Sequence, residues 1–572
     1  MNKELLGVAL VLLLTVLLAI PLGRYIAAVL SGKRTLLDFM KPVERVIYRF
    51  CGIDPSVEMN WKQHLKALLT INLLWFVYAF VLLMVQGNLG LNPDGNPSQT
   101  PDLAFNTAIS FLVNCNLQHY SGESGLTYFT QLFVISFLQF VTAASGMAAL
   151  FVLFKALREK VTDQLGNFWD FFVKSITRVL LPLSLIVAII LVFSGTPASF
   201  DGKDSIVTLQ GDSVKVSRGP AAGMIGIKQI GTNGGGWFGV NSAHPLENPT
   251  YLTNVVENIA ILLVPMALVF AFGYYLKRRK LSYIIFGVMT VGFLLILGLS
   301  IYAETSGSAT IAQMGIAQPT GSMEGKETRF GPAASALWGI STTATSNGSV
   351  NSMHDSQMPL SQAMQMLDMM INSFYGGVGV GFLNFFLFLI IAVFIAGLMV
   401  GRTPEFLGRK IEAREMKIAS LMALLHPLLI LAGTALSSYL LVNYPQAGWT
   451  PSPEAWSNNP GSHGFSEMLY EYSSSAANNG SGMEGLGDNN IFWNYSTGIV
   501  LLLSRFLPII GPVAIAGMLA SKKYTPESLG TLRSDSYSFA LMVFLVIVIV
   551  AALSFFPALT LGPLAEYFSL PK

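Results

Sequence analysis

Ten apolar runs, each long enough for a membrane-crossing helix of about 20 residues, alternate with polar stretches along this chain. They fall at 5–30, 66–86, 128–153, 175–195, 251–276, 281–303, 376–400, 418–443, 493–520 and 537–562. In hydrocarbon every backbone N–H and C=O must be bonded within the chain, so each run is predicted to be a helix. The first run is too long for the apolar part of a signal peptide. It also follows an acidic Glu4 and lacks a small-x-small cleavage site, so it is read as a helix too.

The polar connections are of two kinds. Most of the 34 lysines and arginines lie in the connections 33–66, 155–178, 277–280, 402–417 and 522–533, whereas 444–490 has none. Basic connections stay in the cytoplasm, which predicts both termini on the outer side. The outer connections, about 87–127, 196–250, 304–375 and 444–492, are long, and each contains an apolar stretch too short to span. These stretches are 103–113, 222–230, 332–344 and 465–477, and a run of that length between spans reads as re-entrant.

A short polar core follows each stretch: Asn114-Cys115-Asn116, Thr232-Asn233-Gly234, Ser346-Asn347-Gly348 and Asn478-Asn479-Gly480. One span precedes each loop and one follows it, so the chain repeats itself four times. The expected fold is an all-α polytopic membrane protein with ten transmembrane helices. Four helix–pore-loop–helix repeats surround a pseudo-fourfold axis, with one extra helix at each end. The predicted segments are 1–65 (extra N-terminal helix and inner loop), repeats at 66–158, 172–279, 280–417 and 418–523, and 524–572 (extra C-terminal helix). Between the strand-like halves of Ser205–Ser217, Gln210-Gly211-Asp212 predicts a small exposed hairpin.

Non-helical backbone at membrane depth is tolerated only where protein buries it or it lines a water-filled path. Four loops meeting on an axis would aim carbonyls inward, and such a ring can replace the hydration shell of a monovalent cation. Glycine and asparagine tolerate the positive φ this requires, and the C-terminal ends of the re-entrant helices favour a cation. Calcium and magnesium sites use carboxylates, and no loop core has one. The expected monovalent-cation filter comprises Val113, Asn114, Cys115, Asn116, Thr232, Asn233, Gly234, Ser346, Asn347, Gly348, Asn478, Asn479 and Gly480. Further along each loop come Glu123, Glu247, Asp355 and Glu484. They are either a cation-concentrating outer ring or ordinary solvated acids.

Only 12% of the 572 residues are charged, against roughly 25% in soluble domains. That excludes a cytoplasmic enzyme, a nucleic-acid binder and a disordered scaffold. Cys51 and Cys115 are too few for a disulfide framework. His119, His244, His354 and His463 sit in outer loops without metal-ligand spacing, and are expected to bond loop backbone rather than a transition metal. Arg505 lies inside span nine, where a charge is either functional or snorkelling. Gly376, Gly377, Gly379 and Gly381 allow either close packing or a broken helix. No Gly-x-x-x-x-Gly-Lys-Ser/Thr loop or Asp-Lys-Thr-Gly sequence is present, so the chain alone is not expected to hydrolyse ATP.

Longer strings carry a family resemblance: Glu58–Gln63, Gly231–Gly236 with His244-Pro245 and Glu247-Asn248-Pro249, Met323–Phe330, Met353–Ser356, Phe394–Lys410, Ser462–Glu467 and Ala476–Ser481. End to end, the chain resembles the A subunits, the potassium-binding chains, of Kdp-type bacterial K⁺-transporting P-type ATPases. The resemblance implies the fold of the superfamily of K⁺ transporters and a place in the bacterial inner membrane. It also implies a catalytic P-type ATPase B subunit that uses ATP, a C subunit and a small single-helix F subunit. The ion would pass from the filter through an intersubunit tunnel to the catalytic chain. Gln118 matches a filter-proximal glutamine, Arg505 a pore arginine, and Arg402 lies in a matching loop after a broken seventh span. Asn347 stands where family members can carry cysteine, and Cys115 where threonine can occur. A self-sufficient channel or symporter of the related Trk/Ktr/HKT type is the alternative.

Overall fold

The computed structural model describes residues 2–399, 401, 403–444, 457–524 and 533–571. Arg402 lies outside them. The protein is an all-α polytopic membrane protein, with ten described helices long and apolar enough to cross a bilayer. In chain order, α1 (Asn2–Leu30), the short α2 (Lys41–Phe50) and α3 (Trp61–Val85) precede the first re-entrant helix, α4 (Pro101–Leu112). The spans α5 (Tyr128–Arg158) and α6 (Phe168–Phe193) follow, then the second re-entrant helix, α7 (Ala221–Ile230). Next come the spans α8 (Tyr251–Leu276) and α9 (Arg279–Ser306), the third re-entrant helix α10 (Pro332–Ala344) and α11 (Pro359–Ile371). The last part contains α12 (Val380–Met399), α13 (Ala413–Asn443), the fourth re-entrant helix α14 (Gly461–Ala477), α15 (Ile491–Ser521), α16 (Tyr537–Leu561) and α17 (Pro563–Ser569).

The spans divide by burial. The helices that follow the re-entrant loops are interior, with 89% of the most apolar window of α5 and 83% of that of α8 buried. Only 22% is buried in α1 and in α13, whose leucine-rich outer faces meet lipid. Each re-entrant helix packs on the peripheral span before it: α4 on α3, α7 on α6, α10 on α9 and α14 on α13. Each pore loop is therefore wedged between a lipid-facing helix and an inner one.

Local chemistry sets the helix ends. Within Glu58–Gln63, Asn60 caps α3 by accepting from the Lys62 and Gln63 amides at 3.0 Å, while Gln63 accepts from the Asn60 amide at 2.8 Å. In α6, Pro182 has no N–H to give the Arg178 carbonyl; the winding loosens to a π-turn over Ile176–Leu180, and the Tyr25 hydroxyl bonds that carbonyl at 3.1 Å. The span expected at 376–400 becomes helical only at Val380. Before it, Tyr375, Gly376 and Gly379 have φ of 69°, 63° and 84°, and Gly379 lies so close to Gly146 of α5 that a Cβ would strike its backbone. The glycine cluster serves both close packing and a break in the helix.

Charges within Met323–Phe330 are used in clamps. Lys326 and Glu304 form a fully buried pair at 2.8 Å, and Arg329 holds the Ala243 carbonyl at 2.8 Å and that of Asn248. The hairpin is present as strands β1 (Asp204–Val207) and β2 (Ser213–Val216), antiparallel and largely exposed.

Candidate ion site

All four re-entrant helices end the same way. The residue after the last turn is left-handed in each repeat: Asn114 at φ 60°, Thr232 at 48°, Ser346 at 51° and Asn478 at 52°. The next residue then donates its N–H five residues back into the helix. Cys115 bonds Ser110 at 3.0 Å, Asn233 bonds Lys228 at 2.9 Å, Asn347 bonds Thr342 at 3.0 Å and Asn479 bonds Ser474 at 2.9 Å. This is the six-to-one bond of a Schellman cap. A β-branched threonine in that conformation is strained while asparagine accepts it more readily, and its recurrence at one position in four repeats marks a conformation the cap enforces.

The caps turn the chain into four loops that touch one another. Asn114 Nδ2 donates to the Gly231 and Thr232 carbonyls at 3.0 Å, and Asn116 Nδ2 to the Gly234 carbonyl at 2.6 Å, joining loop one to loop two. Asn347 Nδ2 reaches the Lys228 carbonyl at 3.1 Å, and Asn479 Nδ2 the Thr342 carbonyl at 2.6 Å, each tying a loop to the preceding re-entrant helix. A Cβ on Gly480 would strike Asn116, so loop four closes back on loop one. Gly234, Gly348 and Gly480, at φ of 76°, 85° and 104°, sit where the backbones crowd, and a side chain on Gly348 would collide with the Asn479 carbonyl and Asn116.

The carbonyls within these loops differ in availability. Those of Thr232 and Gly234 already accept side-chain amides. Among the described residues, no donor reaches the carbonyls of Cys115, Asn233, Asn347 or Asn479, all four of which are 0% exposed, and none reaches those of Asn114, Asn116, Ser346, Gly348, Asn478 or Gly480. Buried carbonyls are normally paired. All four loops carry unpaired ones at the negative C-terminal ends of helices, an arrangement suited to a desolvated cation.

Behind the second loop lies a charged anchor that sequence reading missed. Lys228, fully buried, is paired with Glu247 and donates to Asn241 Oδ1 at 2.6 Å and Ser242 Oγ at 2.9 Å. Asn241 Nδ2 in turn holds the Gly234 carbonyl at 2.9 Å. Behind the fourth loop, a relay runs from His354 Nδ1 to the Tyr470 hydroxyl at 2.8 Å, on to Ser481 Oγ at 2.8 Å, and to Asn479 Oδ1 at 2.6 Å. The broken start of α12 supports the second and third loops, since the Val378 amide bonds Thr232 Oγ1 at 3.0 Å and the Gly376 amide bonds the Ala344 carbonyl at 2.8 Å. Lys228 inside an apolar stretch was the readable sign of the first anchor; the others have no local signature.

Gln118 clasps Gly236 from both sides, accepting from its amide at 2.8 Å and donating to its carbonyl at 3.2 Å. Arg505 is buried on α15 facing Gly146, and no described acid pairs with it. The four outer acids do not form one exposed ring. Glu247 is fully buried and spent on Lys228. Glu123 accepts the Gly239 amide at 2.7 Å, Asp355 is bonded by His463 at 3.0 Å, and Glu484 is exposed while accepting the Asp355 amide at 3.1 Å. The histidines mostly bond side chains instead of loop backbone. His119 meets Asn494 at 2.7 Å, and His463 is held between Asp355 and Glu566 at 3.0 and 2.9 Å. Only His244 accepts a backbone amide, that of Leu246, at 3.1 Å. Burial pulls the His463 pKa down, but Asp355 and Glu566 outweigh it and push the ring up to about 10. Burial, with a smaller push from Lys326, lowers His354 to about 3, so it serves its relay as a neutral ring.

Re-entrant helices whose C-terminal ends meet at buried, unpaired carbonyls define a pore-loop membrane protein. The chain belongs to the potassium-transporting ATPase A subunit family, whose model matches residues 9–568. A relative from Flavobacterium psychrophilum, named potassium-transporting ATPase potassium-binding subunit, is 66% identical over 573 residues, covering 100% of both chains. Proteins of the same name from Bacteroides thetaiotaomicron and Geobacillus kaustophilus are 63% identical over 570 residues and 46% identical over 561 residues. The first covers 100% of each chain and the second 98%.

Proposed function

We propose that this chain is the ion-binding and selectivity subunit of an ATP-driven, high-affinity potassium uptake pump. Extracellular K⁺ sheds its water at the carbonyls of Cys115, Asn233, Asn347 and Asn479, and the neighbouring residues of the four loops hold those carbonyls in place. The buried, unpaired carbonyls at four helix ends carry this reading, and the relatives' shared name supports potassium as the ion. A carboxylate-free ring suits a monovalent ion over a divalent one.

This chain has no phosphate-binding loop, so ATP is used by a partner, a catalytic P-type ATPase B subunit accompanied by a C subunit and a single-helix F subunit. The complex sits in the bacterial inner membrane with both termini of this chain outside, as its basic connections favour. Beyond the ring, the unpaired Arg505 repels a cation from the direct inward route. Between the third and fourth repeats, a cavity of about 50 Å³ lined by Asn372, Asn384, His426 and Ser504 adjoins the end of α14 at Ala476. That placement favours a sideways exit toward the catalytic partner.

ATP-driven rubidium uptake into vesicles, with and without the partner subunits, tests the proposal. Uptake should require both ATP and the catalytic partner. Rapid uptake by this chain alone, driven only by a gradient, would favour a Trk/Ktr/HKT-type channel and overturn the pump assignment.

A further inference from the structure

The connection between α1 and α3 contains a helix with three distinct faces. In α2, Glu44 and Tyr48 are buried against α6: Glu44 is ion-paired with Arg178 at 2.5 Å, and the Tyr48 hydroxyl donates to Asp170 at 2.8 Å. At 3.6 residues per turn, Val43, Val46, Ile47 and Phe50 share a second face. Val46 is 68% exposed and Phe50 91%, and the preceding turn adds Leu36 and Phe39 at 87% and 68%. Lys41, Arg45 and Arg49 share the third face.

Charge separates the same way. Of the segment's acids, Asp38 and Glu44 are held by Arg178 and Glu58 by Lys155, while Asp54, in the turn beyond α2, accepts from the Ser56 amide and hydroxyl. Among the described residues, no acid lies within ion-pair distance of Lys33, Arg34, Arg45 or Arg49. What α2 shows to its surroundings is therefore apolar and cationic. Its depth is also set, because Asp170 and Arg178 belong to the charged opening turns of α6, after which Val179–Phe193 carries no charge. In a bilayer, the charged end of a span meets the lipid headgroups.

We propose that α2, with the turn Leu36–Met40, is an interfacial anchor that binds the anionic lipid leaflet. Its aromatic and aliphatic face sinks into the acyl boundary, and Lys33, Arg34, Arg45 and Arg49 engage lipid phosphates. Leu36, Phe39, Val46 and Phe50 exposed to water would form a costly apolar patch, whereas an amphipathic basic helix lying in the interface satisfies both faces. Attraction to anionic lipid adds to this at each basic residue. The choice of the inner leaflet rests on the proposed orientation of the chain.

The test uses the full complex in proteoliposomes with Cys51→Ser as background, since Cys115 is buried. A fluorophore is attached at Val46→Cys or at Arg49→Cys, and lipids brominated high on the acyl chain serve as quenchers. The label at 46 should be strongly quenched and that at 49 little. Brominated phosphatidylglycerol should quench more than brominated phosphatidylcholine, and this preference should fall about fivefold for each of Arg45→Gln and Arg49→Gln added to the Val46→Cys protein. Equal quenching at 46 and 49, or equal quenching by both lipids, overturns the proposal. Quenching at 46 that appears only when the partner subunits are removed also overturns it, and assigns the face to a subunit interface. Orientation is read separately by a membrane-impermeant thiol reagent on native Cys51, which should react only from the inner side.

Discussion

The first pore loop and the other three use the same cap but finish differently. In loops two to four the third residue is Gly234, Gly348 or Gly480, each at positive φ against a neighbouring loop. In loop one it is Asn116, whose φ is not positive. Its Nδ2 holds the Gly234 carbonyl at 2.6 Å, and its Oδ1 lies against Gly348 and Gly480 without a hydrogen-bond partner among the described residues. Three loops thus make room and one fills it. The ring is not four equal quarters but three backbones closed around one side chain.

The glycine side of this contrast should break hardest. Gly348→Asp puts a Cβ into the Asn479 carbonyl and Asn116, and a charge into a carboxylate-free ring. The expected loss is about a hundredfold in apparent K⁺ affinity for ATP-driven uptake, from overpacking and left-handed strain together. Gly234→Asp should act in the same direction and relax discrimination against other cations; wild-type affinity in both variants would remove the ring from the ion path.

Asn116→Gly makes loop one resemble the others and releases the Gly234 carbonyl. Discrimination of K⁺ over Na⁺ should fall about tenfold, the worth of a buried hydrogen bond plus lost packing, with smaller change in maximal rate. Unchanged selectivity would make the Asn116 side chain a bystander. Tyr470→Phe cuts the relay from His354 to Asn479 and should weaken affinity about fivefold, while Tyr472→Phe, whose hydroxyl instead meets Ser496 at 3.0 Å, should not.

The smallest effect is at the periphery, where His463 links Asp355 to Glu566 of α17. Its folded pKa lies above the unfolded value, so its stabilisation is present below about pH 6.5 and is lost as pH rises through about 10. Wild type should lose about 1–2 °C in unfolding midpoint across that alkaline step, and His463→Gln should show the lower midpoint throughout without the step.

Periodicity made the spans and re-entrant helices legible, because long apolar runs leave few other options in lipid. The third re-entrant helix falls at the predicted 332–344, and the others start within four residues of expectation. The loop cores were legible through repetition. Their chemistry was less so, because availability of a carbonyl depends on which distant amide reaches it. Asn116 and Asn241 both bond the Gly234 carbonyl, and no local pattern announces either contact. The left-handed residue fell at Thr232 and Ser346, not only at the glycines, since the helix cap dictates it. Glu247 looked like a vestibule acid until Lys228, on the preceding helix, was found beside it. Asn347, an apparent departure at a filter position, has a structural task here: its side chain ties loop three to α7.

In the proposed function, the cation is held by backbone carbonyls of the middle loop residues. An anomalous-scattering map of the rubidium-soaked complex tests it most directly. One strong peak is expected, coordinated by the carbonyls of Cys115, Asn233, Asn347 and Asn479. A peak instead at Asp355, Glu467 and His463, with the loop ring empty, would contradict it.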